Sequence, residues 1–212
     1  MSGFIFDLDG VLVDTAKFHF EAWRELARDL GFDMDETFNE TLKGVSRMES
    51  LEKILQKGNI DASSDQKLSW AEQKNQNYLA RVQKMTKADV LPGVLAFLEK
   101  SKQLKIPMAV GSASKNAVAI LTLTEIKDYF QVIIDGNQIS KGKPDPEVFL
   151  LAAKTLQLSP ALCVVFEDAE AGIEAALAAG MYAVGVGDLE KADEMISGFE
   201  GQDPEQFILD PL

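Results

Sequence analysis

The chain has one cysteine, Cys163, and one histidine, His19, among 212 residues. A lone cysteine forms no internal disulfide, and Cys163 sits in the apolar run LCVVF, where a buried structural thiol is expected. A reducing cytoplasm is the expected setting. Positive charge is scarce as well: 21 Lys and Arg stand against 34 Asp and Glu, a net charge of −13. A surface of that sign repels nucleic acid and anionic lipid, so neither is expected as a partner. A phosphorylated substrate would be repelled too, unless a few Lys and Arg residues converge locally to overcome the overall field. No apolar run is long enough to span a bilayer, and MSGFIFDLDG lacks the sequence of regions that makes a signal peptide, so export is not expected. Neither GxGxxG nor GxxxxGK[ST] occurs, and nothing points to nucleotide binding.

What is present is ordinary globular composition, 46% apolar and 26% charged, without internal repeats or low-complexity linkers. The apolar run Phe4 to Phe6 ends in Asp-x-Asp-Gly, which reads as a short buried strand leaving its sheet into a loop. From Thr15 to about Met85 only helix-period segments follow. Phe20, Trp23, Ala27 and Leu30 mark one apolar face, closed by Gly31. Ser46-Arg47-Met48-Glu49 has capping-box spacing ahead of Leu51, Ile54 and Leu55, which makes Lys43-Gly44-Val45 the loop entering that helix.

From Leu91 the pattern alternates. A helix after Pro92 precedes a strand at 106–111, a helix begins near Asn116, and a strand covers 132–134. A helix after Pro146, a strand at 162–166, an Ala-rich helix at 171–179 and a last strand at 182–186 complete the series. The expected fold is α/β, a Rossmann-like, mostly parallel, five-stranded sheet with helices on both faces, interrupted by an all-helical cap. Residues 1–14 and 88–212 form the expected core and 15–87 the cap. Residues 201–212 receive no firm structure, and the methionines and phenylalanines are read as core.

Ligands of open parallel sheets bind outside the carboxyl ends of the strands. Those ends carry Asp7 and Asp9, then Gly111-Ser112-Ala113-Ser114-Lys115-Asn116, then Lys143-Pro144, then Glu167-Asp168. Four carboxylates, a basic residue and small hydroxyl side chains at one sheet edge suit magnesium and phosphate, since hard oxygen ligands hold the ion and substrate phosphate completes its shell. Residues two apart in an extended segment project to one side, so Asp7 and Asp9 face one reacting phosphorus. Asp7 is the expected nucleophile, forming an aspartyl-phosphate, and Asp9 the expected acid/base. Ser112 and the backbone amides after it are placed to hold phosphate oxygens, and Lys143 to neutralise developing charge.

Taken in order, FIFDLDGVLVDT, the GSAS segment, KGKPDP and VVFEDAEAGIEAA resemble the four motifs of the haloacid dehalogenase superfamily phosphotransferases. Further segments, DTAKFHFEAW, FNETLKGVSRMES, QKNQNY, ADVLPGV and GSASKN, are similar to the branch of phosphosugar mutases that interconvert β-glucose 1-phosphate and glucose 6-phosphate. That resemblance implies an inner phosphate pocket of Asp7, Ser112, Ala113 and Lys143, with Mg2+ held by Asp7, the Asp9 carbonyl, Glu167 and Asp168. It implies an outer pocket of Arg47 with Ser114, Lys115 and Asn116, completed when the cap closes.

Read alone, His19 is a core or surface residue, and Lys43 and Lys74 are solvated charges. The resemblance instead turns His19 toward the acid/base, sets Trp23 near the sugar, and brings Lys43, Gly44 and Lys74 to the substrate. Asp14 and Thr15 read as the cap of the first helix and mark the hinge, and Thr15 is also assigned to the substrate site. Of the two lysines in KGKP the resemblance selects Lys143, and Ala169 departs from the small hydroxyl that many relatives carry. The expected partner is a small sugar phosphate, and the expected state a monomer. A magnesium-dependent sugar-phosphate phosphatase and a catalytically idle binding protein remain open alternatives.

Overall fold

The computed structural model of the chain describes residues 2–43 and 45–209. Gly44, expected at the substrate site, and residues 210–212 lie outside the described residues. Strand β1 (Gly3–Phe6) is followed by four helices, α1 (Ala16–Asp29), α2 (Glu36–Glu40), α3 (Arg47–Lys57) and α4 (Ser64–Val82). The chain then alternates through α5 (Val94–Gln103), β2 (Met108–Gly111), α6 (Ala117–Leu123), β3 (Val132–Ile134), α7 (Glu147–Leu156) and β4 (Cys163–Glu167). It ends with α8 (Glu170–Ala178), β5 (Tyr182–Val186) and β6 (Glu194–Ile196). The result is a Rossmann-like α/β core with an inserted helical cap.

The strand order is β3-β2-β1-β4-β5-β6, with every neighbouring pair parallel. Chain order reverses on either side of β1, so the segments leaving β1, β2 and β4 open a crevice at the carboxyl edge. Burial on both faces explains why these strands read as continuous apolar runs. Alternate residues of β1 serve opposite faces: Phe4 and Phe6 join a cluster with Phe97, Phe166, Phe199 and Phe207, while Ile5 joins Phe149, Ala152, Val165 and Ala176 under α7 and α8. In the first cluster Phe166 stacks on Phe6 with centroids 4.9 Å apart, and Phe97 meets Phe199 edge-on at 4.9 Å. The cap has its own core of Trp23, Leu26, Ala27, Leu51, Ile54 and Leu55.

Three sequence expectations need correction. Among the described residues the sheet has six strands rather than five, because the three residues of β6 pair with β5, and it is parallel throughout. A three-residue edge strand whose central Met195 is half exposed leaves no alternation to read. Residues 204–207 form a 3-10 turn, fixed by Phe207 burying against Phe97 and Phe166 and by Asp203 accepting the Glu205 amide. A four-residue turn has no period, so only tertiary contact reveals it. Finally, Met48 and Met195 are exposed, whereas Met34, Met85, Met108 and Met181 are buried as expected.

Phe97 is buried among five other aromatic rings of the core. Phe97→Ala is expected to cost about 3–5 kcal/mol through lost burial and the cavity left behind. A urea titration checks this as a lower midpoint at unchanged slope.

Candidate active site

The Asp7 amide still donates to the Phe166 carbonyl at 2.9 Å, so the backbone of Asp7 is fixed as an extension of the sheet. Asp7, Glu167 and Asp168 each present a carboxylate oxygen, all within 4.8 Å of one another. Lys143 is fully buried between two of them, with Nζ 2.5 Å from Asp7 Oδ1 and 2.7 Å from Glu167 Oε2. Its neighbour Lys141 instead reaches solvent and pairs with Asp145 at 3.2 Å. The second Glu167 oxygen accepts the Ala169 amide at 3.1 Å, which is how the backbone at Ala169 serves the site without a hydroxyl.

Two glycines make room for these carboxylates. A side chain at Gly172, in the first turn of α8, would collide with the Glu167 carboxylate. Gly10 has φ +81°, and a Cβ there would collide with Asp168.

Three carboxylates facing one buried ammonium, with Lys43 4.0 Å from Asp168 at the edge, leave the cluster short of positive charge. Burial, opposed by Lys143, raises the pKa of Glu167; burial together with the Glu167 and Asp7 charges raises that of Asp168. Burial alone would lower the Lys143 pKa, but Asp7 and Glu167 hold it above the ordinary lysine value. An all-oxygen donor set with excess negative charge fits a hard divalent cation.

Asp9 stands beside this cluster, its amide donating to Asp7 Oδ2 at 3.0 Å. Thr15 occupies the N-cap position of α1 but does not cap it; its hydroxyl donates to Asp9 Oδ1 instead. The expected capping role is thus corrected: a hydroxyl that donates to a carboxylate satisfies a partly buried charge, whereas the helix amide has other partners. Burial and the Asp7 charge push the Asp9 pKa up to about 6, against the pull of Thr15, Lys74 and Lys143.

From the cap, His19 places Nε2 3.8 Å from Asp9 Oδ2 and Nδ1 2.9 Å from Lys74 Nζ. With Lys74 protonated, its ammonium donates to Nδ1 and the ring proton lies on Nε2, on the side of Asp9 but too far from it for a hydrogen bond. Burial, then the charges of Lys74 and Arg47, hold the His19 pKa well below its usual value, so the ring is neutral. Lys74 is not the solvated charge that its sequence alone suggests. It is buried over the rings of Trp23 and Tyr78, at 4.6 and 4.7 Å, and burial with Arg47 pulls its pKa to about 7.

At the other end, Arg47 opens α3 behind the capping box that its sequence suggested, with Ser46 and Glu49 exchanging side-chain and backbone bonds. The segment after β2 winds back on itself: Ser112 Oγ accepts the Ser114 amide at 3.1 Å and Ser114 Oγ accepts the Asn116 amide at 3.2 Å. Each hydroxyl keeps its own proton to donate. Lys43 pairs with Glu40 at 2.8 Å and reaches to 4.0 Å from Asp168 across the crevice.

One cavity of about 1140 Å³ joins Asp7, Asp9 and Asp168 to His19, Trp23, Lys43, Arg47, Lys74 and the whole stretch Ser112 to Asn116. Thr15, Lys143 and Glu167 stand behind its wall, all fully buried. Two residues escaped sequence reading although QKNQNY contains both. Tyr78, one helical turn after Lys74, packs its ring 4.2 Å from that of His19. Asn75 accepts from Arg47 and from Asn116 through one oxygen.

A family model of haloacid dehalogenase-like hydrolases matches residues 1–180. The β-phosphoglucomutase of Bacillus subtilis strain 168 is 46% identical over 189 residues, which is 88% of this chain and 84% of that protein. A phosphorylated carbohydrates phosphatase of Thermotoga maritima is 34% identical over 183 residues, 85% of this chain and 82% of the relative. Among solved structures, a β-phosphoglucomutase from Clostridium difficile superimposes with a TM-score of 0.93 at 42% identity, covering 97% of this chain and 95% of that one. A match over most of the sequence, on a sheet whose strand ends carry the motifs, shows that the chain belongs to the haloacid dehalogenase-like hydrolases.

Proposed function

We propose that the protein is a phosphosugar mutase interconverting β-glucose 1-phosphate and glucose 6-phosphate through an aspartyl-phosphate and a β-glucose 1,6-bisphosphate. The observation that carries this is a single cavity lined both by the strand-end groups Asp7, Asp9 and Ser112 and by Arg47, Ser114, Lys115 and Asn116, whose cations and polar side chains suit a second phosphate away from Asp7. A mutase must hold two phosphates at once, while a phosphatase needs a place for one. The 46% identity to a β-phosphoglucomutase over most of the chain supports the same choice.

In this mechanism phosphorylated Asp7 gives its phosphoryl group to a sugar hydroxyl while Asp9 removes the hydroxyl proton. The bisphosphate reorients, its other phosphate is attacked by Asp7, and Asp9 returns the proton to the leaving oxygen. Lys143 and the Asp9 amide fix the two Asp7 oxygens throughout. Mg2+, held by Asp7, Glu167, Asp168 and the Asp9 carbonyl, would neutralise charge on the transferring group. His19 orients Asp9, and Trp23, Lys43 and Lys74 pack about the sugar. Residues 15–87 serve as the cap that excludes water from a core of 1–14 and 88–212. Among the described residues no helix is long and apolar enough to cross a membrane. A cytoplasmic monomer completes the proposal.

The second reading, a sugar-phosphate phosphatase, draws on the 34% identical phosphatase. One assay separates them. With β-glucose 1-phosphate, Mg2+ and a trace of β-glucose 1,6-bisphosphate, a mutase forms glucose 6-phosphate, and release of inorganic phosphate without isomerisation refutes the mutase. Asp7→Asn is expected to lower kcat about a thousandfold or more.

A pH profile follows from Asp9. Below about pH 6 the carboxyl is protonated and cannot act as base, so kcat/KM for the transfer to sugar falls roughly tenfold per pH unit. Thr15→Ala removes a hydrogen bond that lowers the Asp9 pKa, and the acidic limb is expected to move to higher pH.

Gly172→Ala pushes the Glu167 carboxylate off its position. Titration calorimetry is expected to show Mg2+ affinity reduced by about tenfold or more, with the thermal transition largely retained.

A further inference from the structure

Asn75, on α4 of the cap, offers its side-chain oxygen to two donors. Arg47 Nη2, on α3, lies 2.8 Å away, and Asn116 Nδ2, from the core segment after β2, lies 3.1 Å away. Arginine can only donate, so the Asn75 oxygen must face it, and a group meeting that same oxygen must be the Asn116 NH2. The two contacts fix both amide orientations. All three side chains line the cavity, and two of them are the outer-pocket groups Arg47 and Asn116.

The neutrality of Asn75 matters. A carboxylate at this point would hold Arg47 more strongly but would cancel its charge. An amide oxygen occupies one of the five guanidinium donors and leaves the positive charge and the remaining donors available to an anion. The bond from Asn75 to Asn116 also crosses from cap to core, so opening the cap must break it. Beside it the fit is close: a Cβ at Gly142, in the core, would lie 3.0 Å from Glu49 Oε2 of the cap.

From this juxtaposition we propose that Asn75 is the positioning residue of the outer phosphate pocket. It clasps Arg47 of the cap to Asn116 of the core, and it keeps hold of both while their remaining donors turn to the phosphate oxygens. The pocket therefore exists as a unit only while the cap is down. This deepens the mutase proposal and rests on its two-pocket reading.

The test is a kinetic comparison of wild type, Asn75→Ala, Asn75→Asp, Arg47→Ala and the double variant Arg47→Ala/Asn75→Ala. Asn75→Ala is expected to raise KM for β-glucose 1-phosphate about tenfold, with a smaller change in kcat, since a hydrogen bond to a charged group is lost. Asn75→Asp is isosteric and keeps both acceptor contacts, which protects the test against simple loss of fold. It adds a charge that repels phosphate and pairs with Arg47, so KM is expected to rise further and to recover partly as salt is raised. The double variant is expected to resemble Arg47→Ala within about threefold, because Asn75 acts largely through Arg47.

Unchanged KM in both single Asn75 variants, or effects of Asn75→Ala and Arg47→Ala that multiply in full, would overturn the proposal. Should wild type release phosphate without isomerising, the mutase proposal fails separately. The clasp is then read from KM for hydrolysis of β-glucose 1,6-bisphosphate, whose second phosphate still needs the outer pocket, with the same outcomes deciding.

Discussion

Asp7, Glu167 and Asp168 each present a carboxylate oxygen within 4.8 Å of the others where water is largely excluded, with Lys143 buried between two of them and Lys43 at the edge, 4.0 Å from Asp168. Burying like charges this close costs several kcal/mol unless each is hydrogen-bonded or paired, on the order of the penalty known for buried ions. The surrounding structure reads as a set of answers to that cost. Lys143 bridges two of the three groups, the Ala169 amide takes the free oxygen of Glu167, and the Asp9 amide takes one of Asp7. Gly10 and Gly172 give the carboxylates space that a side chain would fill. The rest of the deficit is what makes the cluster a place for a divalent cation. Only a sheet whose order reverses at β1 brings the ends of β1 and β4 side by side with the segment before α7, so the charge cluster and the topology depend on each other.

The net charge of −13 and a site for doubly anionic substrates are compatible because screening makes electrostatics local. At physiological salt the Debye length is about 8 Å, so remote surface carboxylates contribute little inside the cavity. Lys43, Arg47, Lys74, Lys115 and Lys141 line it against six carboxylates, a far more even balance than the 21 against 34 of the whole chain. Crowding these cations has its own effect: burial and Arg47 pull the Lys74 pKa to about 7, and burial together with Lys74 and Arg47 keeps His19 neutral. The cap is thus polarised toward the core carboxylates even before a substrate supplies negative charge.

Sequence disclosed the parts of the site that lie next to a strong local signal. Asp7 and Asp9 follow a buried strand, Arg47 follows a capping box, and Ser112 to Asn116 follow a second strand; all fall where spacing put them. Spacing could not disclose contacts made over long separations. Nothing in KGKP tells that Lys143 is fully buried between Asp7 and Glu167, and nothing in QKNQNY tells that Lys74 is covered by Trp23 and Tyr78. Asn75 looks like any polar residue of a helix until α3, α4 and the core segment meet at its oxygen. Thr15 misled for a related reason, since its local environment favours capping while a distant carboxylate determines its hydroxyl. The fold was legible where period and length sufficed and failed at β6 and Phe207, which are too short to have either.

Asp9 belongs to both halves of the molecule, and this bears on how a mutase would keep its phosphoryl group from water. Asp7 and Lys143 act on it from the core, while Thr15, His19 and Lys74 act from the first and last helices of the cap. Its pKa near 6 is a balance of burial against those cations, and lifting the cap removes the burial and Lys74 together. With the cap raised, water reaches Asp7 but Asp9 is an ordinary solvated carboxylate without its orienting histidine. With the cap lowered, Asp9 is held beside His19 and Lys74, and on the proposed mechanism a sugar filling the cavity takes the space beside Asp7 that water would otherwise occupy. On the proposed mechanism, selection of sugar over water then needs no group that recognises water. It follows from making the acid/base competent only in the conformation that a phosphate in the outer pocket, bridging Arg47 and Asn116, holds shut.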